Sequence, residues 1–290
     1  MRKNQSALLF FVFFLLCPSL ALAVESICPG GSAPRGDVKF CADFDNLAGC
    51  VTGRESTCWA QNSITDIPTG FRITSGGAAV GSGFAAGSGP VGSTGPGFSE
   101  VNLPGGPANQ VSLRYYARYS RGYMTYGSNH FPSIIGSNPD SSCHRGTTLE
   151  GSMTAYFLYS SANCGVGGFD MHPNTAARPI LKNNRWYLIE MSAGVDTACS
   201  NPSSPNGCNG TYKLSIDGQV VMNYTDLNWG GVTHGVKWHA VNGPRSYFHR
   251  LVPPWQPEVH FDNFVVATSL TPIGAAGGEN PRGTADPVSP

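Results

Sequence analysis

Two arginines and a tyrosine alternate along one short stretch of the sequence. Residues 111–120 read VSLRYYARYS, so Arg114, Tyr116 and Arg118 occupy every second position. Alternate residues of a β-strand point to the same side of the sheet and lie about 7 Å apart. A guanidinium group holds a carboxylate through two parallel hydrogen bonds, and a phenol can exchange a proton. This face is therefore predicted to bind an acidic group and to move a proton beside it.

A second polar row lies in the predicted strand at residues 148–158, where Glu150 and Tyr156 share a face with the hydroxyls between them. His130 lies in the segment that connects the two rows. If both rows line one groove, a base and an acid would flank the bound group there. The candidate catalytic residues are Arg114, Tyr116, His130 and Tyr156. The alternative is a polar, solvent-exposed face whose arginines and tyrosines only brace each other.

A loop rich in aromatic residues follows at residues 228–255. It carries Trp229, Trp238, His239 and Trp255, and its glycines would let the rings stand clear of the backbone. Flat aromatic faces stack on the C–H patches of sugars, so this loop is a candidate ligand site. The alternative is that these rings cap the open end of the core. The candidate substrate-binding residues are Arg118, Glu150, Trp229, Trp238, His239 and Trp255.

Three aspartates form a candidate calcium site. Asp43 and Asp45 lie two residues apart near the first predicted strand, and Asp262 lies in the last one. Calcium prefers six to eight oxygen ligands, which carboxylates and carbonyls supply. The alternative is that each aspartate caps a turn or pairs with an arginine. Apart from this calcium, no cofactor is expected.

The cysteines predict disulfide bonds. Beyond Cys17 there are eight, an even number, and an exported chain folds in an oxidising compartment. Proximity along the chain favours pairs 28–41, 50–58, 143–164 and 199–208, although eight cysteines allow 105 pairings. Tight Cys/His spacing of the kind that binds zinc is lacking. The eight residues are Cys28, Cys41, Cys50, Cys58, Cys143, Cys164, Cys199 and Cys208.

The composition indicates a secreted all-β protein. Only 12% of the 290 residues are charged, and 37 Gly and 22 Pro interrupt the chain, which excludes a helical bundle. The net charge of zero gives no electrostatic basis for binding nucleic acid. Residues 1–23 carry a short basic start, a run of ten apolar residues and a small-residue cleavage site, which predict a signal peptide. No other stretch is long and apolar enough to cross a bilayer. Residues 24–274 are expected to form one domain, and residues 275–290 a Gly/Pro-rich tail.

Period-two alternation predicts strands at residues 111–120, 148–158, 186–195 and 260–267. In the first of these, Val111, Leu113, Tyr115 and Ala117 would face the core. Residues 211–216 and 219–224 flank Asp-Gly, a strong signal for a β-hairpin. No amphipathic helix is predicted. The elements therefore indicate a single-domain, antiparallel all-β fold braced by disulfides, and a domain of this size is commonly a β-sandwich or a β-barrel.

The segments NRWYLIEMSAGV, NGTYKLSIDGQVVMNYTDL and VHFDNFVVATSLTPIG together resemble the C-terminal half of concanavalin A-like jelly rolls, a superfamily of lectins, glucanases and polysaccharide lyases. The resemblance spans residues 110–274 and implies two stacked sheets with a glycan-binding groove. The Glu-x-Asp-x-Glu triplet of family 16 glucanases is missing, which disfavours hydrolysis of that type. The resemblance implies a secreted protein that binds or acts on a polysaccharide, with a lyase favoured over a hydrolase. The alternatives are a non-catalytic lectin-like module and a structural surface or matrix protein.

Overall fold

The computed structural model of the protein describes residues 36–42, 44, 71–75, 77–79, 83–88, 94–97, 100–103, 105–119, 129–138, 144–151, 156–162, 169–177, 179–242, 245–247 and 258–274. Within these ranges the chain forms sixteen strands and one short helix. The strands are β1 (Val38–Ala42), β2 (Phe71–Ser75), β3 (Gly83–Ser88), β4 (Thr94–Gly97), β5 (Glu100–Asn102), β6 (Gln110–Tyr119), β7 (Asn129–Ser137), β8 (His144–Gly151), β9 (Tyr156–Ala162), β10 (Phe169–Met171), β11 (Trp186–Gly194), β12 (Asn206–Ile216), β13 (Gln219–Leu227), β14 (Lys237–Asn242), β15 (Arg245–Tyr247) and β16 (Glu258–Ala267); the helix α1 is Gly231–His234.

Two antiparallel sheets make up the sandwich. The eight-stranded sheet runs β13-β12-β11-β6-β16-β3-β2, with β1 also paired to β16, and the six-stranded sheet runs β10-β9-β8-β7-β14-β5. Strands β4 and β15 form a separate ribbon. The prediction of an all-β sandwich with few helices is confirmed. No helix in the described ranges is long and apolar enough to span a membrane.

The core lies between the two sheets, and both contribute to it. From β6, Val111, Leu113, Tyr115 and Ala117 are buried in it, as the alternation predicts. Ile134, Met171, Trp238 and Val241 enter the same core from the six-stranded sheet. Each such side chain removed from water contributes roughly 1.5–3 kcal/mol to stability. The sheets are therefore held together by apolar burial.

The predicted hairpin at Asp217-Gly218 is confirmed between β12 and β13. Both turn residues have positive φ, 50° and 76°, as a tight two-residue hairpin turn requires. The Asp217 carboxylate accepts hydrogen bonds from the backbone N–H of Leu188 at 2.9 Å and from Arg185 at 2.7 Å. The turn is thereby fixed against the start of β11.

The prediction of one strand over residues 148–158 is wrong. The structure has two strands there, β8 and β9, paired antiparallel as a hairpin. Gly151 pairs with Tyr156, and Glu150 pairs with Phe157. Because partners in a ladder share a face, the position of Tyr156 falls on the opposite face from Glu150. The predicted polar row is therefore divided between the two faces.

The disulfide prediction is confirmed where the structure describes it. Cys199 and Cys208 are bonded and also form an antiparallel bridge, and Cys41 is disulfide-bonded as well. The cysteines that lie outside the described residues are Cys28, Cys50, Cys58, Cys143 and Cys164. Residues 1–23 and 275–290 also lie outside them, so the signal peptide and the tail stay predictions.

Candidate functional site

The predicted Arg114 row lies on the outer face of the eight-stranded sheet, opposite the core. Arg114 is fully buried there and donates hydrogen bonds to the carbonyl of Gly274 at 2.8 Å and to Oδ1 of Asn263. Burial lowers the pKa of Arg114, and the nearby charges of Glu190 and Asp262 act in the opposite direction. Its guanidinium group is thus bound by the protein itself.

Tyr116 is also fully buried and packs with Trp186, Leu188 and Ala86. The loop at residues 77–79 lies over this cluster. Its carbonyl at Gly77 accepts a hydrogen bond from the Trp186 indole at 2.8 Å. The backbone N–H of Ala79 donates to the Asp262 carboxylate at 3.0 Å. The outer face of the sheet is therefore covered at this point by its own chain.

The segment at residues 268–274 covers the neighbouring part of the same face. Ser112 donates to the Ser269 carbonyl at 2.5 Å, and the N–H of Ile273 donates to Glu190 at 2.5 Å. The cavity beside this segment, lined by Lys213 among others, has a volume of about 30 Å³, which is room for one or two waters and not for a sugar. The expectation of an open groove at Arg114 and Tyr116 is therefore wrong, because both side chains are closed off from solvent.

Arg118 is the one member of the row that is only partly buried. Its guanidinium group stacks 5.0 Å over the ring of Trp186 and donates to Nδ1 of His260 at 2.9 Å. Because Nδ1 accepts this bond, the imidazole proton is on Nε2, which lies 2.9 Å from the Glu258 carboxylate. Arg118 is thus the first member of a chain of bonds that ties β16 to β6.

The outer face of the six-stranded sheet has polar positions from all six strands. Ile134 and Met171 face the core, so the positions that alternate with them lie on the outer face. The register of β7 shifts between His130 and Ser133, so His130 pairs with Glu150 on β8. The position of Glu150 alternates with Leu149 and shares a face with Thr148, the partner of Ser133, so His130 also lies on the outer face. The next row of paired positions on this face comprises Asp170, Tyr159, Thr148, Ser133, Asn242 and Glu100. Imidazole, carboxylate, phenol and hydroxyl residues therefore share one face.

The sequence analysis missed Tyr159. It pairs with Thr148 and so lies at an outer-face position, whereas Tyr156 lies at a core-facing one. The signal that could have revealed this is Gly151-Ser152, small turn-forming residues inside the supposed strand. Of the two tyrosines, Tyr159 occupies the same face as His130 and Glu150.

His239 and Lys237 lie at one end of this outer face. His239 is the extra residue of a β-bulge in β14, between Trp238 and Ala240. Its Nδ1 lies 3.1 Å from the hydroxyl of Ser137 on β7. Ser133 is buried, Ser137 is half-buried and Lys237 is exposed, so the face opens to solvent toward Lys237.

Of the three tryptophans predicted to contact substrate, the two that the structure describes belong to the core. Trp229 and Trp238 are fully buried and meet edge to face, with ring centroids 5.4 Å apart. A Cβ at Gly136 would lie 2.9 Å from the Trp238 ring, so glycine is required beneath it. Substrate contact by these two rings was predicted wrongly, because they cap the core instead. Trp255 lies outside the described residues.

The calcium expectation is not tested, because Asp43 and Asp45 lie outside the described residues. The group of potential metal ligands found among the described residues is Asp196 with Cys199 and Cys208. Both cysteines are in the disulfide, and the Asp196 carboxylate accepts the backbone N–H groups of residues 229, 231 and 232. Asp196 therefore fixes the backbone at the start of α1.

No protein-family model matches the chain, and no curated protein matches it in sequence. Solved structures do resemble it. An alginate lyase from a Chlorella virus is 14% identical with a TM-score of 0.55, over 74% of this chain and 96% of the other. The PL-14 alginate lyase from Aplysia kurodai is 12% identical with a TM-score of 0.54, over 80% and 99%. The alginate lyase Aly36B is 10% identical with a TM-score of 0.50, over 79% and 96%. The chain shares the jelly-roll β-sandwich fold of these proteins.

Proposed function

We propose that this protein is a secreted, carbohydrate-active protein that binds a uronate polysaccharide on the outer face of the six-stranded sheet and cleaves it by β-elimination. The observation that carries the proposal is the register that brings His130, Glu150 and Tyr159 to one face. The fold shared with alginate lyases over nearly their whole length supports it. Fold alone does not determine function, so the residues of this face must supply the chemistry.

β-Elimination needs a base and an acid on either side of a sugar ring. The base removes the proton on the carbon next to the carboxylate, the glycosidic C–O bond on the adjacent carbon breaks, and a C=C bond forms between the two carbons. The acid protonates the leaving oxygen. His130 would be the base, with Glu150 as its neighbour to orient and stabilise the charged imidazole. Tyr159 would be the acid.

The spacing of these positions suits a bound sugar. His130 lies on β7 and Tyr159 on β9, two strands away, which is about 10 Å across the sheet. Along the strand direction their positions are two residues apart, about 7 Å, because His130 pairs with Glu150 and Tyr159 pairs with Thr148. Positions this far apart leave room for one sugar ring between a base and an acid. Direct contact of base and acid would leave none.

Alginate and polygalacturonate are the first substrates to test, with the ultraviolet absorbance of the new C=C bond as the readout. Tyr159→Phe should lower kcat by about 10²–10⁴-fold, the usual contribution of a general acid. Tyr156→Phe is the matched control, because its position faces the core, and it should keep activity. Loss in Tyr156→Phe with retention in Tyr159→Phe would reverse the assignment. If no uronate polymer gives a rise in absorbance, the proposed lyase activity is refuted.

A non-catalytic lectin-like role is the second candidate. The burial of Arg114 favours it, because the guanidinium expected to hold the uronate carboxylate is bound inside the protein. A glycan array separates the two functions. Binding of a polymer without any absorbance rise would favour the lectin-like role.

A further inference from the structure

The outer face of the six-stranded sheet carries a basic end defined by Lys237 and His239. Lys237 is exposed, His239 is half-buried, and both belong to β14. The position of His144 adjoins them, because Ser137 pairs with Lys237 on one side and with His144 on the other. The backbone positions of three basic residues therefore adjoin Ser137.

Local structure holds this end in place. The bulge at His239 turns its ring toward β7, where Nδ1 lies 3.1 Å from the Ser137 hydroxyl. The backbone carbonyl of His239 accepts the N–H of Leu103 at 2.7 Å, so the bulge is bonded on both sides. Bulges re-aim side chains in this way next to functional sites. The imidazole is thus positioned before any ligand arrives.

The charges along the face are unequally distributed. Glu150 and Asp170 lie at positions near His130 and Tyr159, whereas the basic end is at Ser137. Ser137 is four residues beyond Ser133 along β7, about 13 Å. This distance exceeds the length of one sugar unit, so one uronate cannot occupy both places.

We propose that Lys237 and His239 form a second carboxylate-binding subsite, which holds a uronate unit several sugars away from the reacting one in the same chain. The inference rests on the proposed function, because it needs a polyuronate on this face. It follows that the site selects an anionic polymer over a neutral one and a long chain over a disaccharide. Lys237 and His239 act on affinity and not on the chemical step.

The test compares Lys237→Gln with Lys182→Gln. Lys182 is also exposed but lies in the loop before β11 of the other sheet, so its variant makes the same change of charge elsewhere. The probes are alginate and its propylene glycol ester, which has the same backbone without the charges. Binding is measured by affinity electrophoresis at low salt and in about 1 M NaCl, where the Debye length falls to about 3 Å.

At low salt, Lys237→Gln should bind alginate about 1.5–5-fold more weakly than wild type, the range of an exposed ion pair. His239→Gln should weaken binding as well, and Lys182→Gln should not change it. High salt should abolish the difference, and the ester should bind weakly to every variant. If the wild-type protein cleaves alginate, Lys237→Gln should cleave it with a higher KM and an unchanged kcat.

The two levels of the proposal fail in different ways. Wild-type protein that binds or cleaves alginate, together with an unaltered Lys237→Gln, overturns the subsite and leaves the proposed function standing. Equal binding of alginate and its ester also overturns the subsite. Wild-type protein that neither binds nor cleaves any polyuronate overturns the proposed function, and the subsite with it.

Discussion

Replacing Arg114 with alanine should lower the free energy of unfolding by about 3–5 kcal/mol, the range for removing one partner of a buried charged network. The guanidinium has no solvent exposure and donates to the Gly274 carbonyl at 2.8 Å. It also donates to Asn263 and lies close to Asp262, which holds the 77–79 loop. Truncation leaves the buried side-chain oxygen of Asn263 without its donor and the buried Asp262 carboxylate without a nearby positive charge.

The magnitude follows from these contacts. A hydrogen bond from a charged donor contributes about 1.5–3 kcal/mol, and an uncompensated buried acceptor costs about 1–3 kcal/mol more. Arg185→Ala is the matched control, because Arg185 pairs with Asp217 at 2.7 Å but its side chain is 42% exposed. An exposed pair of this kind contributes at most about 1 kcal/mol.

Urea unfolding followed by tryptophan fluorescence measures both variants. We expect a lower midpoint for Arg114→Ala with an unchanged m-value, and a small shift for Arg185→Ala. A variant that keeps its midpoint but loses polysaccharide binding would refute the reasoning. Arg114 would then contact the substrate, and the outer face of the eight-stranded sheet would be the site.

Two further predictions concern stability. Burial raises the pKa of Tyr212, whose hydroxyl is buried without a hydrogen-bond partner among the described residues, so its phenol stays protonated in the folded state after the unfolded chain ionises near pH 10. The Tyr212 phenol should therefore make stability fall as pH rises above about 10, by up to about 1.4 kcal/mol per pH unit. Burial also raises the pKa of Tyr187 and of Tyr224, so Tyr212→Phe should reduce the slope measured in urea titrations, and the variant should remain folded at pH 7. Cys199 and Cys208 are nine residues apart, and loss of their disulfide should lower the free energy of unfolding by about 2.5 kcal/mol. A Cys199→Ser/Cys208→Ser variant that unfolds at the same urea concentration as wild type would contradict this expectation.

The alternation in β6 predicts the strand and its inner face correctly, because burial of one face imposes a period of two on the sequence. It does not predict that the outer face is buried as well. The segments that cover Arg114 and Tyr116, residues 77–79 and 268–274, are far away in sequence. The alternation within one strand carries no information on contacts with distant segments. A polar face that is covered by such a segment therefore shows the same alternation as a polar face that is exposed to water.

The error at residues 148–158 has a geometric cause. Glu150 and Tyr156 are six residues apart, so they share a face in any continuous strand. In the hairpin, even-numbered residues of β8 pair with odd-numbered residues of β9, and the faces exchange at the turn. The apolar pattern on both sides stays alternating, so the pattern shows the strands but not the break in phase, which only the small residues Gly151 and Ser152 indicate. Tyr159 enters the candidate site, and Tyr156 leaves it, for this reason alone.

The two outer faces of the sandwich thus use their polar residues differently. On the eight-stranded sheet, Arg114, Glu190 and Asp262 each bind a segment of the protein's own backbone, and a charged group so occupied is not available to a ligand. Only 12% of the residues are charged, so each such commitment limits what remains for recognition. On the six-stranded sheet, Lys237 reaches solvent at the end of a face that also carries the positions of His130, Glu150 and Tyr159. A polysaccharide-binding role is therefore best sought there.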